Sequence, residues 1–141
     1  MSDSVGLIFH ENWNEFSPLM YYHYGADGAP IQIQNFMKQY LQEHKLDNHD
    51  GHLFNPCHMM VGLLQSMSKS VHIRVENLTE QQIETLQEHH DYPNYFDGGC
   101  WIINVSTDNF GDTVCGDNYT LENDNIVKDE LKSIYEEDYR C

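Results

Sequence analysis

Two short runs, Val5–His10 (VGLIFH) and Cys100–Val105 (CWIINV), are apolar at almost every position. Runs of this length and composition, bounded by polar and glycine-bearing segments, read as buried strands. The second is the more apolar and reads as a central strand. They belong to a chain of 141 residues, the length of one domain and enough to bury a sizeable core.

The segments between and after them supply the rest of the layout. Glu11–Glu15 (ENWNE) reads as a turn and Pro18–Tyr24 (PLMYYHY) as an aromatic second strand, giving an N-terminal hairpin. Residues 25–30 (GADGAP) end that strand, with Pro30 at a first helical position. Ile33, Phe36, Met37, Tyr40 and Leu41 then recur at helical spacing and predict an amphipathic helix of about four turns. After a polar loop, Lys45–Asn55, the Asn55-Pro56 pair caps and starts a second helix, Pro56–Ser68, burying Met59, Met60, Leu63, Leu64 and Met67. Ser70–Glu76 alternates Val71, Ile73 and Val75 against polar residues, as a half-exposed strand does. Thr79 and Gln82 form a capping box for a third helix over Glu80–His90. Asp91–Gly99 reads as a loop, and Thr113–Tyr119 as a strand pairing back on Cys100–Val105. A fourth helix follows a cap at Asn123 or Asp124 and buries Val127, Leu131, Ile134 and Tyr135. Strands and helices mix without a regular βαβ rhythm. The expected fold is therefore α+β: one domain over residues 1–141, a small and mainly antiparallel sheet with about four helices packed on one face.

The run YYHYGADGAPIQIQNFMKQYL, an aromatic strand entering an Asp-Gly-x-Pro turn and an amphipathic helix, resembles small hypothetical proteins common in phages and prophages. Cys57–Met67 and Cys100–Val105 match the second helix and late aromatic strand of that pattern, and Ala29 stands where it usually has an aromatic residue. The resemblance implies a viral accessory origin and brings no active site with it.

Charge sets the class of partner. Residues 1–70 carry seven Asp and Glu against three Lys and Arg, whereas residues 71–141 carry sixteen against four, for a formal net charge of −16. A field of that sign repels phosphates and attracts basic protein surfaces. It argues against direct nucleic-acid binding, because no basic track exists to hold a backbone. The Met1-Ser2-Asp3-Ser4 start has no basic n-region or apolar h-region, no apolar run is long enough to span a membrane, and Cys57, Cys100, Cys115 and Cys141 are irregularly spaced. These features predict a cytoplasmic protein with reduced thiols, acting inside a host cell if viral. With no such secretion route, the sequons at Asn77, Asn104 and Asn118 carry no weight.

Glu76, Glu80, Glu84 and Glu88 stand four residues apart, and the last three share one face of the third helix. Carboxylates about 6 Å apart along a helix are spaced comparably to the phosphates of a DNA strand. Asp108, Asp112 and Asp117 extend the negative surface, as do later carboxylates. These seven are the candidate partner-binding residues; the alternative is a solvated face of an acidic, soluble protein.

Other chemistry is thinner. His49, His52, Cys57 and His58 supply imidazole and thiolate ligands suited to zinc, although their spacing fits no standard zinc signature and the surrounding carboxylates fail the EF-hand pattern. Isolated surface histidines are the plainer reading of a chain with nine of them. Cys57 beside His58 is adjacency in sequence, which is not the spatial hydrogen bond a Cys–His pair requires. No G-x-S-x-G, P-loop or H-E-x-x-H occurs. Tyr21, Tyr22, Tyr24 and Trp13 could line a groove or simply fill the core. Three functions are compatible with these residues. The first is a small acidic, non-catalytic protein that binds a basic, nucleic-acid-handling host protein by charge mimicry, as phage-encoded inhibitors of host defence nucleases do. The alternatives are a zinc hydrolase or zinc-stabilised module built on the His49–His58 cluster, and a small-ligand carrier, with a phosphorylated ligand disfavoured unless Lys38, Lys69 or Arg74 converge on a pocket.

Overall fold

In a computed structural model the chain is described over residues 5–22, 29–44, 55–67, 73–92, 100–106 and 112–115. Strands β1 (Val5–Glu11), β2 (Glu15–Phe16), β3 (Leu19–Tyr22), β4 (Ile73–Glu76), β5 (Cys100–Asn104) and β6 (Thr113–Cys115) form one sheet of order β4-β3-β1-β5-β6, with β2 pairing the end of β1. The helices are α1 (Ala29–His44), α2 (Pro56–Ser66) and α3 (Glu80–His89). All pairings are antiparallel except β1 with β5, so the sheet is mainly antiparallel and the class α+β. The expected fourth helix, capped at Asn123 or Asp124, lies outside the described residues. No helix among the described residues is long and apolar enough to cross a membrane.

The two apolar runs are neighbours. Gly6 faces Cys100, Leu7 faces Trp101, Ile8 faces Ile102 and Phe9 faces Ile103. Side chains alternate across a sheet, so this register sends Val5, Leu7, Phe9, Trp101 and Ile103 to one face and Ile8, Cys100 and Ile102 to the other. Both sets are buried, and each is covered. The first packs under α1 and α2 through Ile33, Met37, Tyr40, Met59 and Leu63. The second packs with Leu86 of α3 and with Tyr92. Helices therefore lie on both faces, not on one as the sequence suggested. A pair of strands with no polar side cannot leave either face to water, and the single buried leucine of α3 is enough to bring that helix onto the second.

The helix starts follow from local chemistry. The Asn55 side chain accepts from the Cys57 N–H at 2.9 Å ahead of Pro56, and its amide donates to Glu15 at 3.1 Å, fixing α2 to β2. At α3 the Thr79 hydroxyl accepts from the Gln82 N–H at 3.2 Å, while the Gln82 side chain accepts from the Thr79 N–H at 2.9 Å. Helix α2 ends at Ser66, two residues before the sequence-based boundary, and Met60, Leu64 and Met67 are only half-buried beside Met59 and Leu63.

The second strand expected over Pro18–Tyr24 forms as β3, Leu19–Tyr22, and a two-residue strand not expected there, β2, precedes it across a bulge. Opposite β1 the register is His10 with Phe16 but Leu7 with Met20, so one extra residue is inserted around Ser17-Pro18. Pro18 has no N–H for the ladder, and a bulge is where a strand tolerates it. Ser17 restores the bonding: its N–H donates to the Phe9 carbonyl at 2.8 Å, and its hydroxyl accepts from the Phe9 N–H at 3.0 Å while donating to the Pro18 carbonyl at 2.9 Å.

Candidate functional site

Helix α3 turns Leu86 inward and leaves Glu80, Glu84 and Glu88 exposed on the opposite side. Glu76, at the end of the edge strand β4, and Asp91, beyond the helix, are exposed as well. Residues 73–92 thus present five carboxylates against one arginine, Arg74. Among the described residues none of these carboxylates is ion-paired to Lys or Arg; Glu88 has only its neighbour His89, at 3.9 Å and on an exposed surface. Asp112 is half-buried ahead of β6 and belongs to a different cluster, considered below. Asp108 and Asp117 lie outside the described residues.

The proposed metal ligands are described only in part. Cys57 and His58 are exposed in the first turn of α2, while His49 and His52 fall outside the described residues. No group of three or more potential ligands comes together among the described residues. Of the aromatics, Tyr21 is half-buried against the α3 side of the sheet. A half-open cleft of about 230 Å³ between α1 and α2 is lined by Phe36, Gln39, Tyr40, Glu43, Gly62 and their neighbours. Burial raises the Tyr40 phenol above its ordinary range. Among the described residues neither Lys38 nor Arg74 lines this cleft, and Lys69 lies outside them.

The most organised polar cluster was not among the sequence candidates. It lies where the parallel strands β1 and β5 both end. Glu11–Asn14 is a tight turn closed by the Asn14 N–H donating to the Glu11 carbonyl at 3.0 Å, with Asn12 at φ 46° and Trp13 at φ 63°. Two left-handed central residues give the turn whose twist suits a hairpin. Asparagine adopts that conformation readily, but tryptophan does so at a cost of about 1–2 kcal/mol. Side-chain contacts hold it there. The His10 ring, 1% exposed, accepts the Trp13 N–H on Nδ1 at 3.0 Å and stacks on the indole with centroids 4.0 Å apart. On its other side the indole stacks on His90 at 3.9 Å and 2° between planes. His90 is the cap of α3, itself left-handed at φ 54°, with its N–H on the Leu86 carbonyl.

Asn104 braces the same turn from β5. Its Oδ1 accepts from the Ser106 N–H at 2.9 Å and the Asn12 N–H at 3.3 Å, and its Nδ2 donates to Asn12 Oδ1 at 3.0 Å. The Ser106 hydroxyl donates to that same oxygen at 2.9 Å. Backbone bonds from Val105 to His10 and from Asn104 to Asp112, both 2.8 Å, complete the junction. Because Nδ1 of His10 is an acceptor, the neutral ring carries its proton on Nε2. Its pKa is lowered to about 4, first by burial and then by His90, with the Asp112 carboxylate opposing. Asn104 bonds within the brace through both Oδ1 and Nδ2, and the Ser106 hydroxyl is a donor to the Asn12 amide oxygen. Sequence signals for this cluster did exist: a histidine closing an apolar strand, two asparagines flanking Trp13, and an Asn-Val-Ser that is a buried hydrogen-bonded junction.

No family model matches the chain, and comparison with curated proteins and with solved structures gives no match.

Proposed function

We propose that this chain is a small acidic, non-catalytic interaction protein that occupies a basic, nucleic-acid-handling host protein, in the manner of phage-encoded anti-CRISPR or anti-restriction inhibitors. Glu80, Glu84 and Glu88 stand where the partner's lysines and arginines would otherwise meet phosphates, with Glu76 beside them; Asp108 and Asp117 are proposed to extend that negative field, and Asp112 adds its charge from the separate cluster at His10. The mechanism is occlusion in the host cytoplasm, without metal or cofactor. The observation that carries the reading is the row of three exposed carboxylates on α3 with no Lys or Arg paired to them among the described residues. A helix face that neutralised itself with (i, i+4) lysines would have little field to offer. Rim charges of this kind steer encounter more than they tighten the bound state, so association should be fast and salt-sensitive.

The test is capture from nuclease-treated bacterial lysate at about 50 and 500 mM salt, using the wild-type chain and the triple variant Glu80→Lys, Glu84→Lys, Glu88→Lys. Nucleic-acid-binding proteins retained at low salt, released at high salt and ignored by a folded triple variant are the expected result. The same proteins held equally at both salts, or by the triple variant, would refute charge mimicry.

A further inference from the structure

We propose that His10, Trp13 and His90 form a proton-operated latch, which ties the β1–β2 turn to the C-terminal end of α3 and opens when His10 takes up a proton on Nδ1. The inference does not depend on what the acidic face binds.

The geometry sets the direction. Closed, the latch is a three-ring stack, with the indole between two imidazoles at 4.0 and 3.9 Å. One hydrogen bond orients it: the Trp13 N–H onto Nδ1 of His10. That nitrogen is the only ring atom the turn uses, and it accepts only while it is bare. A proton placed there turns the acceptor into a donor facing another donor, so the bond cannot survive. The turn then loses what offsets the left-handed strain at Trp13, φ 63°, a conformation that bulky residues keep only when their surroundings enforce it. Release of the indole removes the ring that His90 stacks on, and His90 is the residue that ends α3. A single protonation thus acts on two elements that share no strand pairing.

The groups facing His10 make the latch tunable. From α3 comes His90, whose positive charge opposes protonation; from the approach to β6 comes Asp112, whose carboxylate favours it. From β2 comes the Phe16 ring at 6.0 Å, and β5 places Asn104 opposite in register; neither is ionisable. On its own hairpin the nearest carboxylates, Glu11 and Glu15, face each other across the strands and are exposed. The Asn12–Asn104–Ser106 bonds contain no titrating group. They hold the base of the turn to β5 through the change, so what moves is Trp13 and the α3 terminus rather than the hairpin as a whole.

The experiment is a pH titration of the unmodified protein by NMR, following the ring protons of His10 and His90 and the two indole N–H signals. Trp13 and His10 should move together with a midpoint near pH 4, while Trp101 in the core and the β5 amides stay in place. Asp112→Asn should lower that midpoint and His90→Asn should raise it, asparagine being at ease in the left-handed cap. In His10→Gln the Trp13 transition should vanish. The latch is overturned if Trp13 moves while His10 does not titrate, if the Trp13 transition persists in His10→Gln, or if the Trp101 and β5 signals collapse at the same pH as Trp13. The last outcome would identify global acid unfolding instead.

Discussion

The bulge opposite Phe9 turns one hydroxyl into a structural requirement, and Ser17→Ala tests it. Ser17 is fully buried, and its Oγ accepts a buried backbone N–H, that of Phe9, at 3.0 Å. Alanine fits the space but offers no lone pair, so the N–H of a central strand is left in the core without a partner. An unsatisfied buried donor costs about 1–3 kcal/mol. The lost bond to the Pro18 carbonyl adds little, because that group is only part-buried and water can serve it. A destabilisation of about 2 kcal/mol follows, a large share of the ~5–15 kcal/mol typical of a domain. With a urea m-value of about 2 kcal/mol/M the midpoint falls by about 1 M, and Tm by about 5–8 °C. Urea unfolding followed by far-UV circular dichroism measures the first and calorimetry the second. Ser17→Thr retains the oxygen and should recover most of the loss. If Ser17→Ala lies within about 0.5 kcal/mol of wild type, Phe9 has another acceptor and the account of the bulge is wrong.

Stability should depend on His10 with a definite sign. Its folded pKa of about 4 lies below the ordinary histidine value of 6.5, so between those values the unfolded chain binds a proton that the folded one refuses, and stability falls as the pH is lowered through that window, by about 3 kcal/mol in all. The difference between wild-type and His10→Phe denaturation curves across pH 4–7 isolates this contribution, and parallel curves would contradict it. Thr79→Ala removes the hydroxyl that accepts the Gln82 N–H, leaving only the reciprocal bond from the residue 79 backbone N–H to the Gln82 side chain, and should cost about 1 kcal/mol, with hydrogen exchange fastest in the first turn of that helix. Gly62 lies where a Cβ would come within 3.1 Å of the Tyr40 ring and 3.3 Å of Phe36. Gly62→Val should therefore push α1 from α2 and cost about 1–3 kcal/mol in chemical denaturation.

What was readable in the residues is what depends on near neighbours. The Thr79–Gln82 box, the Asn55-Pro56 start and the Ile33–Met37–Tyr40 stripe are each complete within a few positions, and each forms as expected. The runs at Val5 and Cys100 announced burial but not each other. Their parallel pairing joins segments 94 residues apart, for which no local signal exists. Helices on both faces were implied by two strands with no polar side, yet α3 offers so thin an apolar stripe, Leu86 with a half-buried Ile83, that its docking was not evident. The bulge ahead of β3 was written in Ser17-Pro18, a proline at the start of the aromatic strand. The stack of His10, Trp13 and His90 was the least visible, because His90 reaches Trp13 only through the fold. The acidic row needed only helical spacing, and Glu80, Glu84 and Glu88 do share an exposed face.

The pairing of β1 with β5 also governs the order in which the molecule can be made. Ribosomes add about 5–20 residues per second, so the N-terminal strand waits roughly 5–20 s for its parallel neighbour to emerge. Until then Leu7, Ile8 and Phe9 have only the hairpin partner β3 beside them. A nascent chain in that state carries an open, greasy strand edge, and a chain truncated before Cys100 would keep it permanently.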